Sequence, residues 1–321
     1  MTELPPYLES VAKDIDLMID RYFVNKVGEL NKASAHLLAA GGKRLRPAVV
    51  LLAADAVKRG SSPDVLPAAL ALELTHTFTL IHDDIMDEDT LRRGVPTVHT
   101  KWDMPTGILA GDVLYARAFE FICMSDATDN AKVRAVSMLA RTCADICLGQ
   151  HMDMSFSHRN DVDEFEYLEM VKKKTGVLYA AAAGIGAVLA GGSAVQAKAL
   201  YLFGLNTGIA FQIQDDLIDL LTPAEKSGKD RASDLREGKQ TLIMIKAREK
   251  GIDLQKYRRD LSDTDIDAAI KELTDAGVID EVKKMATDLI AESNKHLSLL
   301  PPSKERHLLM DIGEFFVTRS Y

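Results

Sequence analysis

The sequence predicts an all-α fold, a single-domain helical bundle with long central helices wrapped by others. Helical signals dominate, strand signals are scarce, and no repeat period or low-complexity tract divides the 321 residues. A composition of 47% hydrophobic and 27% charged residues is that of a folded globular protein.

The elements follow from their punctuation. Pro5-Pro6 opens a helix running to about Val24, and a second spans Glu29 to Ala40, ended by Gly41-Gly42 in the manner of a C-cap. Pro47 suits a first helical turn, and that helix continues to Lys58. After the turn Gly60-Ser61-Ser62-Pro63 comes a helix of some two dozen residues ending in Asp83-Asp84-Ile85-Met86-Asp87. Arg92-Arg93-Gly94-Val95-Pro96 reads as a loop, and helix resumes from Ala110 to Cys123. Further helices cover about 130–156, 163–173, 176–190 and 194–220. A charged, glycine-containing loop runs from Pro223 to Gly238, then Thr241 to Lys250 and several amphipathic helices finish the chain.

The net charge of −9 argues against nonspecific nucleic-acid binding, so no nucleic-acid partner is expected. Cys123, Cys143 and Cys147 are too few and too irregular for a disulfide framework and read as small residues in a reducing, cytoplasmic setting. The N-terminus has neither a basic n-region nor an apolar h-region. Thr175 to Ala197 carries no charge and is long enough for a bilayer. It is nevertheless rich in Ala and Gly, which gain little in lipid and permit close helix packing, so no transmembrane span is expected.

The chemistry resides in two clusters of one form, Asp83-Asp84-Ile85-Met86-Asp87 and Asp215-Asp216-Leu217-Ile218-Asp219. In each, the first and last carboxylates share a helix face about 6 Å apart along the axis. Crowded carboxylates in apolar runs repel one another unless cations neutralise them. Two such clusters facing each other would form a hard-oxygen site for Mg²⁺, which takes a few carboxylates plus substrate phosphates. His76, Thr79, Leu80, Asp83 and Asp87 form one stripe, while Leu72, Leu74, Phe78, Ile81 and Ile85 supply packing. Alone, His76 reads as a core histidine bonded to a neighbour. Gly41-Gly42-Lys43-Arg44-Leu45-Arg46-Pro47 sets cations between helices without being a Walker loop, and Arg92-Arg93 follows the first acids closely enough to grip a metal-bound phosphate. Lys174-Thr175, Gln212, Lys229 and Lys239 complete the set, which together describes a pocket for two polyphosphates.

From about Gly41 to Thr241 the sequence resembles the trans-isoprenyl diphosphate synthases, the farnesyl and geranylgeranyl diphosphate synthase family. The matching segments, in order, are GGKRLRP, HTFTLIHDDIMD, LRRG, LAGD, GQHMD, KKKTG, FQIQDDLID, SGKD and EGKQT. The resemblance implies an isoprenoid-synthase-like bundle around a deep apolar cavity, spanning 1–321 as a single domain. It implies Mg²⁺-dependent head-to-tail 1'-4 condensation of isopentenyl diphosphate with allylic diphosphates, by a homodimer. Asp83, Asp87, Asp215 and Asp219 would hold Mg²⁺, with Asp84 and Asp216 contributing less directly. Arg92, Lys174 and Lys229 would bind the allylic diphosphate, and Lys43, Arg46, His76 and Arg93 that of isopentenyl diphosphate. Thr175 and Gln212 would line the zone where the carbocation forms, with Lys239 near the second cluster. One departure stands out: Asp230-Arg231-Ala232-Ser233-Asp234 follows Lys229 where the family often shows Pro and then Gly-Ser-Asp.

In similar archaeal-type enzymes an aromatic residue five positions before the first aspartate floors the product groove, a place held here by Phe78 beside the small Thr79. A C20 product is therefore expected, with C15 as the alternative. A class I terpene cyclase also uses one DDxxD but has no need of the second cluster or of GGKRLRP. A noncatalytic subunit of a synthase would be expected to have lost a cluster.

Overall fold

The computed structural model describes residues 3–222, 231–257 and 261–319, and these are helical almost throughout. In chain order the helices are α1 (Leu4–Ile19), α2 (Glu29–Ala39), α3 (Leu45–Val57), α4 (Ser62–Met86), α5 (Val98–Lys101), α6 (Met104–Cys123), α7 (Asp129–Phe156), α8 (Glu164–Val171), α9 (Val177–Leu189) and α10 (Ala194–Leu221). They continue with α11 (Ser233–Glu237), α12 (Leu242–Glu249), α13 (Asp263–Asp275), α14 (Val278–Leu297) and α15 (Lys304–Thr318).

Two compact units emerge. One comprises Met1–Cys143, Ala181–Tyr201 and Ser298–Asp311, and the other Ala144–Ala180, Leu202–Leu297 and Ile312–Tyr321. In the first unit α3 is buried along almost its whole length and packs on α4, which also lies along α6. Gly107 and Gly111 make the α4–α6 approach possible, since a Cβ on either would strike Ile85 or His82. Asp55 of α3 accepts from the backbone N–H of Ser62 at 2.8 Å, satisfying one of the open donors that start α4. In the second unit Tyr167, Ile213, Leu217, Leu242, Ile266 and Val282 belong to one apolar cluster, with capping boxes at Asp163/Glu166 and Ser262/Asp265 fixing the starts of α8 and α13.

The boundaries agree with the sequence at most places and differ at others. Residues 91–96 are not loop but a minimal antiparallel hairpin, β1 (Leu91–Arg92) and β2 (Val95–Pro96). Arg93 and Gly94 both have positive φ, +54° and +76°, the signature of a type I′ turn whose twist suits a tight hairpin. Helix α6 starts at Met104 rather than Ala110, because the Asp103 carboxylate caps the Thr106 N–H at 2.7 Å and Pro105 fits the first turn. Residues 233–237, expected as loop, form α11. Finally, α8 and α9 are joined without a break by a π-helical turn, Lys172–Gly176.

The uncharged 175–197 stretch is broken by Gly191, and the continuous helical run that enters it carries Lys172, Lys173 and Lys174 just before. The side chains of α9 are buried in protein. By length and composition α4 is the one described helix long and apolar enough for a span, and 67% of its apolar window is buried inside.

Candidate active site

In the first unit the stripe read from the sequence is real. His76, Thr79, Leu80 and Asp83 are half-buried and Asp87 is exposed, whereas Leu72, Leu74, Phe78 and Ile81 face the core. The three aspartates occupy the C-terminal end of α4, with Asp87 as its C-cap. That is the negative pole of the helix, where carboxylates are disfavoured unless cations answer them. Asp84, one position round from Asp83, turns inward and is fully buried. Its Oδ1 accepts from Arg92 Nε, while its Oδ2 has no hydrogen-bond partner. Burial raises the Asp84 carboxyl to about 6, against the opposing pull of Arg92.

The hairpin sends two consecutive arginines different ways. Arg92 reaches back to Asp84 and to Asp89 at 3.0 Å. Arg93 crosses to the end of α2, donating to the carbonyls of Leu37 and Gly41. A Cβ on Gly42 would lie 3.2 Å from the Arg93 guanidinium, so the second glycine of the pair leaves room for that side chain. Arg44, in the left-handed region at φ +45°, is buried against Glu73 at 2.6 Å and Asp16 at 2.9 Å. Lys43 is exposed and Arg46 half-buried. His76 lies in the field of Arg46, Arg93, Arg92 and Arg44, which adds to burial in holding its imidazole well below its ordinary range. The imidazole is therefore neutral at pH 7, with one ring nitrogen able to donate and the other to accept.

Phe78 is buried, its ring edge-on to Tyr115 of α6 at 5.2 Å and to His82 at 5.9 Å, and Tyr115 in turn meets Phe119. Thr79 adds no bulk; its hydroxyl donates to the His76 carbonyl at 2.8 Å.

In the second unit Asp215, Asp216 and Asp219 sit in the last two turns of α10, again at the negative pole. The structure gives the three distinct surroundings. Asp215 pairs with Arg319. Asp216 is buried, accepting from Tyr167 Oη at 2.6 Å and Gln212 Nε2 at 3.0 Å. Asp219 accepts from Ser233 Oγ at 2.6 Å and from the Asp234 N–H at 3.1 Å. Burial and the neighbouring Asp234 carboxylate push Asp216 and Asp219 above the usual carboxylate range. Lys239 bridges Asp234 and Glu237, each at 3.1 Å, which places it one residue removed from Asp219.

Thr175 and Gln212, paired in expectation, are hydrogen-bonded at 3.0 Å. Thr175 belongs to the π-turn, a conformation frequent at functional sites. Helix α7 secures that turn: a Cβ at Gly149 would collide with the Lys173–Lys174 backbone, and Asp153 holds Lys174 Nζ at 2.5 Å. Lys229 lies outside the described residues.

No three His, Cys, Asp or Glu side chains converge into a ready-made metal site among the described residues. The donor set fits Mg²⁺ all the same, since that ion is held by one or two carboxylates together with substrate phosphates and water. Clustered acids at two helix C-termini and the unpartnered buried oxygen of Asp84 both mark a demand for positive charge. Sequence reasoning missed Glu73, Asp153, Tyr167 and Arg319. Asp153 had a signal, its place in GQHMD, and the others had none beyond residue type.

A family model for polyprenyl synthetase matches residues 27–275. A geranylfarnesyl diphosphate synthase of Natronomonas pharaonis is 48% identical over 314 residues, 93% of this chain and 92% of that protein. A geranylgeranyl diphosphate synthase of Methanosarcina mazei is 47% identical over 98% of this chain and 97% of its own. Among solved structures, a geranylgeranyl pyrophosphate synthetase from Geoglobus acetivorans superposes with a TM-score of 0.91 at 46% identity, covering 97% of this chain and 99% of that one.

Proposed function

Because the chain belongs to the polyprenyl synthetase family, we propose that it is a short-chain trans-prenyltransferase, joining isopentenyl diphosphate head-to-tail to allylic diphosphates. One observation carries this reading beyond family membership. Next to the acidic end of α4, the first unit gathers arginines around a neutral His76, so a site that demands cations adjoins one that demands an anion. A cyclase, which handles one diphosphate, needs only the first.

In this reading Asp83, Asp87, Asp215 and Asp219 would hold Mg²⁺, and Asp84 and Asp216 orient neighbours. When bound there, Mg²⁺ would supply positive charge against the negative charge that develops on the allylic diphosphate as its C–O bond breaks. Arg92, Lys174 and Lys229 hold that diphosphate from the protein side, with Asp153 aiming Lys174. Lys43, Arg46, Arg93 and His76 hold the diphosphate of isopentenyl diphosphate, Lys43 and Arg46 flanking the buried, structural Arg44. Thr175 and Gln212 line the place where the allylic cation forms, a hydroxyl and an amide held together by their hydrogen bond. The alkene of isopentenyl diphosphate attacks the cation, and the departed diphosphate takes the proton then lost. Lys239 acts at one remove, through Asp234.

Phe78 floors the groove for the growing chain, and geranylgeranyl diphosphate (C20) is the main product. Names given to the Methanosarcina and Geoglobus relatives support C20 over C15, and the Natronomonas relative is named for a longer product. Both compact units act as one polyprenyl synthetase domain, in the cytoplasm. Exposed Ile108, Leu109 and Tyr115 on α6 with Val133 on α7 supply an apolar face for a second copy, giving a homodimer. Incubation with Mg²⁺, isopentenyl diphosphate and labelled farnesyl diphosphate tests the whole reading. Longer diphosphates are expected; hydrocarbons would make the protein a cyclase, and absence of turnover a noncatalytic subunit.

A further inference from the structure

Beyond the last helix, Arg319 folds back onto α10, 104 residues earlier in the chain. Its guanidinium stacks on the Phe211 ring, 3.9 Å from the centroid, and donates to the carbonyls of Phe316 at 3.2 Å and Phe211 at 3.3 Å. Its own carbonyl accepts from Gln214 Nε2 at 3.0 Å. These contacts suffice to dock the C-terminal segment. The guanidinium nevertheless also meets a carboxylate, Asp215 Oδ1, with 9% of the arginine side chain left exposed.

Asp215 is the first residue of the second aspartate cluster. Close by on α10 and in the 231–239 segment stand Asp216, Asp219 and Asp234, so the Asp215 carboxylate sits among neighbours of its own sign. A guanidinium in contact with a carboxylate oxygen and a divalent cation at that same oxygen repel each other, so each weakens the other's hold. We propose that Arg319 is a resident counter-ion of Asp215, a positioning residue that neutralises and orients this carboxylate until Mg²⁺ arrives with the diphosphate, and then gives it up, loosening the C-terminal segment as the metal enters. This rests on the assignment of Asp215 as a metal ligand and adds to it a competitor built into the chain.

The test is Mn²⁺ binding to the purified protein in the presence of inorganic pyrophosphate, read as free Mn²⁺ by electron paramagnetic resonance. Arg319→Gln keeps a donor for the two carbonyls and loses the charge, Arg319→Lys restores the charge, and thermal melts establish that each variant folds. Arg319→Gln is expected to bind Mn²⁺ about fivefold more tightly, the factor that corresponds to losing a competing ion pair of roughly 1 kcal/mol. Arg319→Lys should return toward the wild type, and Arg319→Gln should change nothing in an Asp215→Asn background. In the wild type, amide exchange over 312–319 should quicken when Mn²⁺ and pyrophosphate are added. Unchanged or weaker Mn²⁺ binding by Arg319→Gln would overturn the proposal, as would the same gain with Asp215→Asn, which would trace it to net charge. A wild type with no pyrophosphate-dependent Mn²⁺ binding would instead remove the metal assignment itself, a result distinguishable from the others.

Discussion

Replacing Phe78 by alanine tests the product floor and the core together. The ring is 7% exposed and touches His82 and Tyr115 edge-on at 5.9 and 5.2 Å. Truncating a buried phenylalanine costs about 3–5 kcal/mol, the range reflecting how far the surroundings collapse. His82 and Tyr115, each with part of its surface exposed, border the space the ring would leave, so the low end, about 3 kcal/mol, is expected in urea unfolding. By helical rise Phe78 lies about 7.5 Å beyond Asp83, away from the diphosphate, so the first condensation should proceed at near wild-type rate. The space left by the ring should admit a further isoprene unit, moving the dominant product past C20 in chromatography of a reaction primed with farnesyl diphosphate. A folded Phe78→Ala enzyme with an unchanged profile would show that the groove does not end at this ring, and the C20 assignment would lose its structural basis.

Three further outcomes follow from the site's architecture. Glu73→Leu leaves the Arg44 guanidinium, 1% exposed, with only the half-exposed Asp16 for charge partner, and should cost about 3 kcal/mol in chemical denaturation; a loss under about 1 kcal/mol would show the pair to be dispensable. His76 has a folded pKa well below its ordinary 6.5, through burial and then Arg46, Arg93, Arg92 and Arg44. Above pH 6.5 neither state protonates it, and below that the unfolded chain gains the proton first, so stability should fall by up to about 1.4 kcal/mol per pH unit. His76→Gln should flatten that acid slope, and an identical slope in the variant would refute the assignment. Gly149→Ala places a methyl about 2.8 Å from the Lys173 carbonyl carbon, an overpacking worth about 1–3 kcal/mol. Because the strain falls on the turn that carries Lys174, KM should rise for the allylic diphosphate more than for isopentenyl diphosphate, and an equal rise in both would deny Lys174 its separate role.

Most helices were legible because their ends carry local signals that act within one turn. Pro5, Pro63 and the Gly41-Gly42 pair each bias only their own neighbours, and the helices begin and stop where those biases say. The start of α6 carries a capping signal of the same kind in Asp103 followed by Pro105, which the longer apolar run from Ala110 overshadows. The hairpin was not. Its turn puts Arg93 at positive φ, a place normally taken by Gly, Asn or Asp, and the strands are too short for alternation to show. Likewise the π-turn depends on Gly149 admitting the Lys173–Lys174 backbone, a contact between segments that no local period records.

The site divides along the same line. Spacing correctly grouped Asp83 with Asp87 and His76, because residues at i, i+3, i+4 and i+7 share a helix face whatever the rest of the fold does. The family resemblance gave the middle aspartate of each cluster a less direct part, and both Asp84 and Asp216 are buried. What a period cannot give is the partner on the other side. Arg44 and Arg46 look alike in sequence, and only the position of Glu73 makes one structural and leaves the other beside His76. Asp215 and Asp219, equivalent by spacing, meet different groups, Arg319 on one and Ser233 with Asp234 on the other. Those partners lie 104, 14 and 15 positions away, beyond the reach of any helical repeat. Carboxylates that bind metal must be carboxylates, so their chemistry shows in the sequence. A group that holds such a carboxylate in place can be a hydroxyl, an amide or a guanidinium, and that freedom of choice hides it until the fold is known.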